Sequence, residues 1–397
     1  MSIWEYTPID SRTFGNTLPN VHVSRYLQPA LKSVLEARKM AFIGGPRQVG
    51  KTTLAFQLLG AEANETHPAY LNWDDPRSAA LLRRVELPPN EPLLVLDEIH
   101  KYARWRNLVK GIYDTEKSKR RIVVTGSARL DYYRKGGDSL ANRYRYFRLH
   151  PFSLSELGGG AAELQALLRF GGFPEPLFAE DEREHRLWQR DRLARVVRED
   201  LRDLERVRDV SLIEHLVDLL PARVGSPLSV NNLSTDLQVD HKSVERWIQI
   251  LENLYVCFRI SPYGPPKVRA VKKERKLYSW DWSMVEDEGP RFENLVAAQL
   301  LKYCHFLEDT EGLPMELRYL RDSARREVDF VVLRKRKPLF AVECKVSERN
   351  VDPALSYFAE RVGIPTFYQV HMGTAHYQRG NITVLPFERL CTELGLP

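Results

Sequence analysis

An α/β fold is predicted for this chain of 397 residues, and three observations predict it. The apolar run Met40-Ala41-Phe42-Ile43 leads into Gly45-Pro46-Arg47-Gln48-Val49-Gly50-Lys51-Thr52, then into a helical face of Leu54, Leu58 and Leu59. A second apolar run, Leu93-Leu94-Val95-Leu96, ends in Asp97-Glu98. Near the C-terminus, Arg326-Glu327-Val328-Asp329-Phe330-Val331-Val332-Leu333 and Phe340-Ala341-Val342-Glu343-Cys344-Lys345-Val346 each carry acid in an apolar frame. Continuous apolar runs are the mark of strands buried on both faces of a parallel sheet, and a 3.6-residue face after the first run completes strand, loop and helix.

The first run is followed by the spacing of a phosphate loop. Gly45 and Gly50 allow the backbone to curl until successive N–H groups face phosphate oxygens. Lys51 supplies a point charge for the β- and γ-phosphates, and the Thr52 hydroxyl is a Mg²⁺ ligand. The expected nucleotide-binding set is Gly45, Pro46, Arg47, Gln48, Val49, Gly50, Lys51, Thr52 and Thr53, with ATP and Mg²⁺ as cofactors. Asp97 and Glu98 lie where a parallel sheet places ligand chemistry, at the carboxyl end of a strand. Asp97 is expected to hold Mg²⁺ and Glu98 to polarise the attacking water.

Beyond Gly158-Gly159-Gly160 the pattern changes. Leu193, Val196, Val197, Leu201 and Leu204 recur at three- and four-residue spacing, which predicts an amphipathic helix over 184–208. Its other face carries Arg190, Arg192, Arg195, Arg198 and Arg202 among acids, expected to be solvated or paired. Between Leu228 and Tyr263, Ser229 caps a helix bearing Leu233 and Leu237, and Asp240 caps one bearing Val244, Trp247, Ile248, Leu251 and Leu254. With the strand Val256–Ile260 and the basic stretch Lys267, Arg269, Lys272, Lys273, Arg275 and Lys276, this segment resembles a winged helix-turn-helix. His241, Lys242, Ser243, Glu245 and Arg246 would then face a groove and the basic wing would meet phosphates. The competing expectation is that the unit only packs against the first module.

In the C-terminal strands, period-two alternation puts Glu343 and Lys345 on one face, so that Asp329, Glu343 and Lys345 converge at a sheet edge. Two carboxylates there would hold a divalent metal against a scissile phosphate, and the lysine would activate water. A cross-strand ion pair on a solvated face is the alternative.

The blocks Gly45 to Leu54, Leu94 to Lys101 with Trp105 and Tyr113, Thr125-Gly126-Ser127, Pro151-Phe152-Ser153-Leu154-Ser155-Glu156 and Gly171-Gly172-Phe173-Pro174-Glu175 resemble bacterial and archaeal AAA ATPases. Those proteins carry a C-terminal domain of unknown function with a restriction-endonuclease-like core. The resemblance implies a γ-phosphate sensor at Ser127, with Thr125 as second choice. Arg143 becomes a candidate for stabilising phosphoryl transfer, within the chain or across a subunit boundary. It also implies that Glu293 adds a further acid to the metal set of Asp329 and Glu343.

The division expected is an N-terminal extension over 1–24, an AAA-type phosphate-loop domain over 25–160 and a helical connector over 161–226. A winged-helix-like domain over 227–275 and a restriction-endonuclease-like domain over 276–397 follow. The corresponding function is a Mg²⁺-dependent ATPase acting on nucleic acid, DNA above all, with metal-dependent nuclease chemistry at the far end. An ATP-dependent regulatory switch that binds a protein partner, with an inactive nuclease-like scaffold domain, is the alternative, and a homo-oligomer stays open beside a monomer.

Composition bounds these expectations. A net charge of +6 permits nucleic acid without requiring it. The four cysteines lack the spacing of a zinc site or disulfide framework. The N-terminus has no basic start followed by an apolar core, and no run reaches the roughly 18 apolar residues of a membrane span. A cytoplasmic protein without a membrane partner is the expectation.

Overall fold

The computed structural model describes residues 23–60, 62–126, 140, 142–200, 210–265 and 274–397. Helix α1 (Gln28–Glu36) precedes strand β1 (Met40–Gly44), all of whose residues are buried. Ala41 and Ile43 pack with Leu27, Leu31 and Leu54, the last on α2 (Lys51–Leu59). Met40 and Phe42 face the other way, onto Trp105, Val109 and Ile112 of α4 (Trp105–Glu116). Helices on both faces are why this strand carries no polar alternation. Strands β2 (Tyr70–Asn72), β3 (Leu93–Asp97), β4 (Arg121–Thr125) and β5 (Tyr144–Arg148) complete a parallel sheet in the order β2-β3-β4-β1-β5. Helix α3 (Pro76–Arg84) is capped by the Asp75 side chain.

The middle is helical: α5 (Ala161–Phe170), α6 (Pro174–Ala179), α7 (Glu182–Arg195) with a π turn over Val196–Asp200, and α8 (Val210–Leu219). Val196 and Val197 are buried as their spacing predicts, while Leu201, Arg202 and Leu204 lie outside the described residues. Arg192 corrects its expected place on a solvated face. It is 2 % exposed, its guanidinium sits 4.1 Å from the Phe173 ring centroid, and Nη2 donates to the Tyr255 carbonyl. A planar, weakly hydrated cation on an aromatic face accounts for its burial. Helices α9 (Val230–Leu237) and α10 (His241–Asn253) are capped by Ser229 and Asp240, and Gln238 makes the turn at φ 54°.

Strands β6 (Cys257–Pro262) and β7 (Lys276–Ser279) pair antiparallel across the expected boundary at 275/276. Then come α11 (Glu288–Glu311), β8 (Met315–Arg321), β9 (Glu327–Arg334), β10 (Lys337–Cys344), α12 (Pro353–Arg361), β11 (Thr366–His371), β12 (Tyr377–Arg379), β13 (Ile382–Pro386) and α13 (Phe387–Leu394). The sheet runs β12-β13-β11-β10-β9-β8-β6-β7, so the β6–β7 hairpin extends it through a parallel contact of β6 with β8. One hydrophobic core runs continuously from Phe152 through the middle helices to Leu396.

Helix α11 joins the two sheets. At a rise of about 1.5 Å per residue, the stretch from Glu293 to Asp309 spans roughly 24 Å. Near its C-terminal end Asp309 and Glu308 pair with Arg148 on β5, and His305 Nδ1 lies 2.8 Å from His150 Nε2. One turn earlier Lys302 meets Glu156, which also accepts from Arg25 Nε at 2.8 Å and from the Tyr26 amide at 3.0 Å. Arg25, Glu156 and Lys302 are all buried. Burial alone would raise the Glu156 carboxyl, but Arg25 and Lys302 outweigh it and hold it down at about 2.

Because that value lies below the ordinary 4.5, the stability Glu156 contributes is complete above pH 4.5 and is lost as pH falls from 4.5 toward 2. Glu156→Gln strands two buried cations, and a loss of about 3–5 kcal/mol is expected at neutral pH by urea unfolding. The acid limb of the wild-type stability curve should flatten in the variant.

Candidate functional site

A cavity of about 530 Å³ opens beside the turn between β1 and α2, lined among others by Arg25, Gln48, Lys51, Thr52, Glu98 and Glu175. Backbone conformation dictates the glycines. Gly45 has φ 149°, and a Cβ there would meet the Leu149 carbonyl oxygen at 2.3 Å; Gly50 has φ 94°. Lys51 is buried and folds back on its own loop, donating to the carbonyls of Gly45 at 3.1 Å and Pro46 at 2.7 Å. Pro46, Arg47, Val49 and Thr53 stand in the same loop and first helical turn. Val49 packs into the core and offers its carbonyl to Arg25 Nη1 at 2.9 Å. Gln48, at φ 63°, reaches Glu175 on α6.

Asp97, 3 % exposed, has both carboxylate oxygens engaged. Oδ2 accepts from Thr52 Oγ1 at 3.0 Å and Tyr70 Oη at 2.7 Å. Oδ1 accepts from the Glu98 amide at 3.0 Å and from Thr125 Oγ1. Thr125 stands opposite Asp97 in the β3–β4 register and Asn72 opposite it in β2–β3, so the sheet itself delivers these groups to one edge. A hydroxyl and a carboxylate 3.0 Å apart beside a turn of phosphate-loop spacing are a donor set that fits Mg²⁺. Glu98, at φ 52°, lines the cavity; burial raises its carboxyl to about 7, with Asp97 pushing the same way against Lys51.

Of the expected residues, Ser127 lies outside the described residues, and Arg143 stands apart from this arrangement. Arg143 chelates Asp114 on α4, with Nε to Oδ1 at 3.0 Å, and its carbonyl accepts from the Met40 amide at the start of β1. That is the amino edge of the sheet, whereas the phosphate-type turn follows the carboxyl edge. A role for Arg143 within its own chain's pocket is therefore corrected by the register of β1 with β5. Arg25, which the sequence left unmarked beside an N-terminal extension, donates into the loop at the Val49 carbonyl.

At the far sheet, Asp329 and Glu343 are buried and meet as the strand pattern implies. Glu343 Oε2 accepts from the Asp329 amide at 3.3 Å, and Asp329 Oδ2 accepts from the Cys344 amide at 2.9 Å. Burial first, then Asp329, pushes the Glu343 carboxyl well above its ordinary range. Lys345 bridges Glu343 at 2.7 Å and Asp352 at 2.8 Å. The basic-wing expectation is corrected for Lys276. It is 1 % exposed, and its Nζ lies 3.1 Å from Glu293, 2.5 Å from Glu327 and 3.4 Å from Asp329. Glu293 also accepts from Tyr278 Oη at 2.7 Å. Tyr278, Glu327 and Asp352 were not marked as site residues from sequence, and Lys276 was placed in a basic wing; the alternation Lys276-Leu277-Tyr278-Ser279, which puts Lys276 and Tyr278 on one strand face, is the signal that could have found two of the four. Among the described residues no group of three His, Cys, Asp or Glu side chains is placed to hold a metal ion. The carboxylates here do not fit one while Lys276 lies between them.

The helix pair is similarly self-contained. His241, Lys242 and Arg246 are exposed, but Glu245 turns to the hairpin and binds Arg259 at 3.0 Å and Arg275 at 2.7 Å, which corrects its expected place in a groove. Lys267, Arg269, Lys272 and Lys273 lie outside the described residues. All four cysteines are free, and no helix among the described residues is long and apolar enough to cross a membrane.

Residues 37–158 match the family model of an AAA domain, the class of nucleotide-binding ATPases. Residues 161–287 and 288–390 match two models described as domains of unknown function, DUF8612 and DUF4143. The chain is similar to uncharacterized proteins of Mycobacterium bovis and Mycobacterium tuberculosis, at 23 % identity over 64 % of its own length and 57 % of theirs. It is similar to an uncharacterized protein of Methanocaldococcus jannaschii at 22 % identity, over 82 % of its own length and 79 % of that protein. The aligned region thus spans little more than half of the mycobacterial relatives.

Gly45→Ala forces a Cβ against the Leu149 carbonyl in a backbone conformation that L-residues rarely adopt. At a strain of about 1–3 kcal/mol, affinity for a fluorescent ATP analogue should fall roughly 5- to 150-fold, read by anisotropy titration.

Proposed function

We propose that the chain is a Mg²⁺-dependent ATPase whose nucleotide cycle governs engagement of nucleic acid, DNA above all, by its middle and C-terminal parts. One observation carries the ATPase half: Thr52, Asp97 and Glu98 meet at the edge of a cavity that Lys51 also lines. In this reading the turn from Gly45 to Thr52 cradles the phosphates and Lys51 exchanges its loop carbonyls for phosphate oxygens. Thr52 and Asp97 would hold Mg²⁺, which supplies charge neutralisation at the β- and γ-phosphates. Thr125 and Tyr70 fix the orientation of Asp97 through their hydroxyls. Glu98 takes the proton of the attacking water, and its carboxyl near 7 is matched to that task.

Support for the nucleic-acid half is the exposed trio His241, Lys242 and Arg246 at the start of a capped second helix. Support for a restriction-endonuclease-like C-terminal core is that α11, β9 and β10 bring Glu293, Asp329, Glu343 and Lys345 into one neighbourhood. The second reading, a switch with a catalytically silent scaffold that binds a protein partner, is favoured by a specific observation: Lys276 pairs with the acids a metal would need.

Glu98→Gln should lower ATP turnover by about 10²–10⁴-fold while leaving ATP affinity within about twofold, since the base acts only in the chemical step. Wild-type kcat should rise with pH through about 7 as Glu98 loses its proton, and the residual rate of the variant should be flat there. Duplex DNA binding measured at rising salt separates the readings: a steep loss of affinity supports nucleic acid, and no binding at low salt supports the protein partner.

A further inference from the structure

We infer that Lys276 is a built-in counter-ion that keeps the C-terminal carboxylate cluster free of metal, and that replacing it with a neutral side chain of similar length creates a divalent-cation site. The inference stands apart from nucleotide hydrolysis and bears on the C-terminal unit alone.

Three carboxylate oxygens, from Glu293 on α11 and from Glu327 and Asp329 on β9, lie between 2.5 and 3.4 Å from one point, and the Lys276 ammonium occupies that point. Glu327 and Asp329 share a strand face by their spacing of two. A hard divalent cation binds carboxylate oxygens at about 2.0–2.6 Å, so the ligands are gathered to within roughly 1 Å of a coordination shell. Their outer oxygens are anchored: Asp329 Oδ2 to the Cys344 amide, Glu327 Oε2 to Arg321 at 3.3 Å. Tyr278 Oη fixes Glu293.

Lys276 is held there by the fold. The buried Asn294 on α11 clasps both backbone groups of Ser279 at 2.8 Å, which seats β7 against the helix that carries Glu293. The ammonium is 1 % exposed, and a cation buried this far is costly unless acids or other acceptors offset its lost hydration. Burial on its own would lower its pKa, but Glu293, Asp329 and Glu327 outweigh burial and raise it, so it stays charged. Taking the lysine away leaves three partly buried carboxylates with no central cation, an arrangement that a divalent ion relieves.

The test is Mn²⁺ titration of the full chain, stripped of metal and nucleotide, by calorimetry and by electron paramagnetic resonance. The wild type, Asp329→Asn, Lys276→Met and the double variant Lys276→Met/Asp329→Asn are compared. Lys276→Met should bind one Mn²⁺ at least tenfold more tightly than the wild type, and the double variant should lose it. Mn²⁺ should raise the thermal midpoint of Lys276→Met and leave that of the wild type unchanged. Should Lys276→Met fail to fold, Lys276→Met/Glu327→Gln carries one carboxylate fewer and is read the same way. A wild type that binds Mn²⁺ as tightly as Lys276→Met, through a site that Asp329→Asn removes, overturns the inference; so does a folded Lys276 variant that gains no site. ATP turnover recorded beside these titrations bears on the phosphate loop only, so a failed ATPase assay leaves the Mn²⁺ result standing.

Discussion

The buried carboxylate of Glu156 is the point on which the architecture turns. It accepts from Arg25, from Lys302 and from the amides of Tyr26 and Ser153, and so gathers the chain start, the turn after β5 and the long helix α11 at one place. Arg25 is the link with functional weight, because its other nitrogens hold the carbonyls of Val49 in the phosphate-type loop and His150 in the turn. A bidentate-capable, always-charged guanidinium suits that position better than lysine would. Lys302 carries the cost: burial pushes its ammonium down to about 8 although Glu156 pulls it up. The loop that would hold phosphate and the helix that carries Glu293 are thus linked by three hydrogen bonds in series, Val49 to Arg25, Arg25 to Glu156 and Glu156 to Lys302. A buried network of this kind is costly to break at any one member, so it ties the loop and α11 together.

At the nucleotide end, Asp97 organises the chemistry through the sheet rather than through loops. Parallel pairing aligns Asn72, Asp97 and Thr125 across three strands, and the Thr52 hydroxyl enters from the helix that follows the loop. A carboxylate with every strong acceptor site used cannot rotate, so Thr52 is positioned before any ligand arrives. Glu98 differs from its neighbour: burial dominates its ionisation, with Lys51 pulling the other way.

At the other end, the same residue types lead to a different outcome. Glu293, Asp329 and Glu343 do share a neighbourhood, but lysines already neutralise it, Lys276 within the cluster and Lys345 between Glu343 and Asp352. The basic segment after β6 looked in sequence like a solvated wing. Lys276 instead turns inward, because β7 joins the edge of the large sheet and carries it onto acids of α11 and β9, while the part-exposed Arg275 beside it pairs with Glu245 of α10. Charge that reads as a surface patch becomes internal pairing once the strand is placed.

Local signals determined a good part of this protein. The phosphate-loop spacing, the apolar strand ending in Asp97-Glu98, the Ser229 and Asp240 caps and the alternation around Glu343 were all legible, because each rests on contacts within a few residues or on a strand's own period. Arg25, Glu156, Lys302 and Lys276 were not, since each owes its role to partners far along the chain; Arg25 and Glu156 are 131 positions apart. Arg143 shows the same limit from the other side: its residue type suited a finger, and only the register of β1 with β5 decided which end of the sheet it occupies. Periodicity reports which face a side chain takes, whereas burial of a charge depends on what the rest of the chain brings to meet it, and that is settled in three dimensions alone.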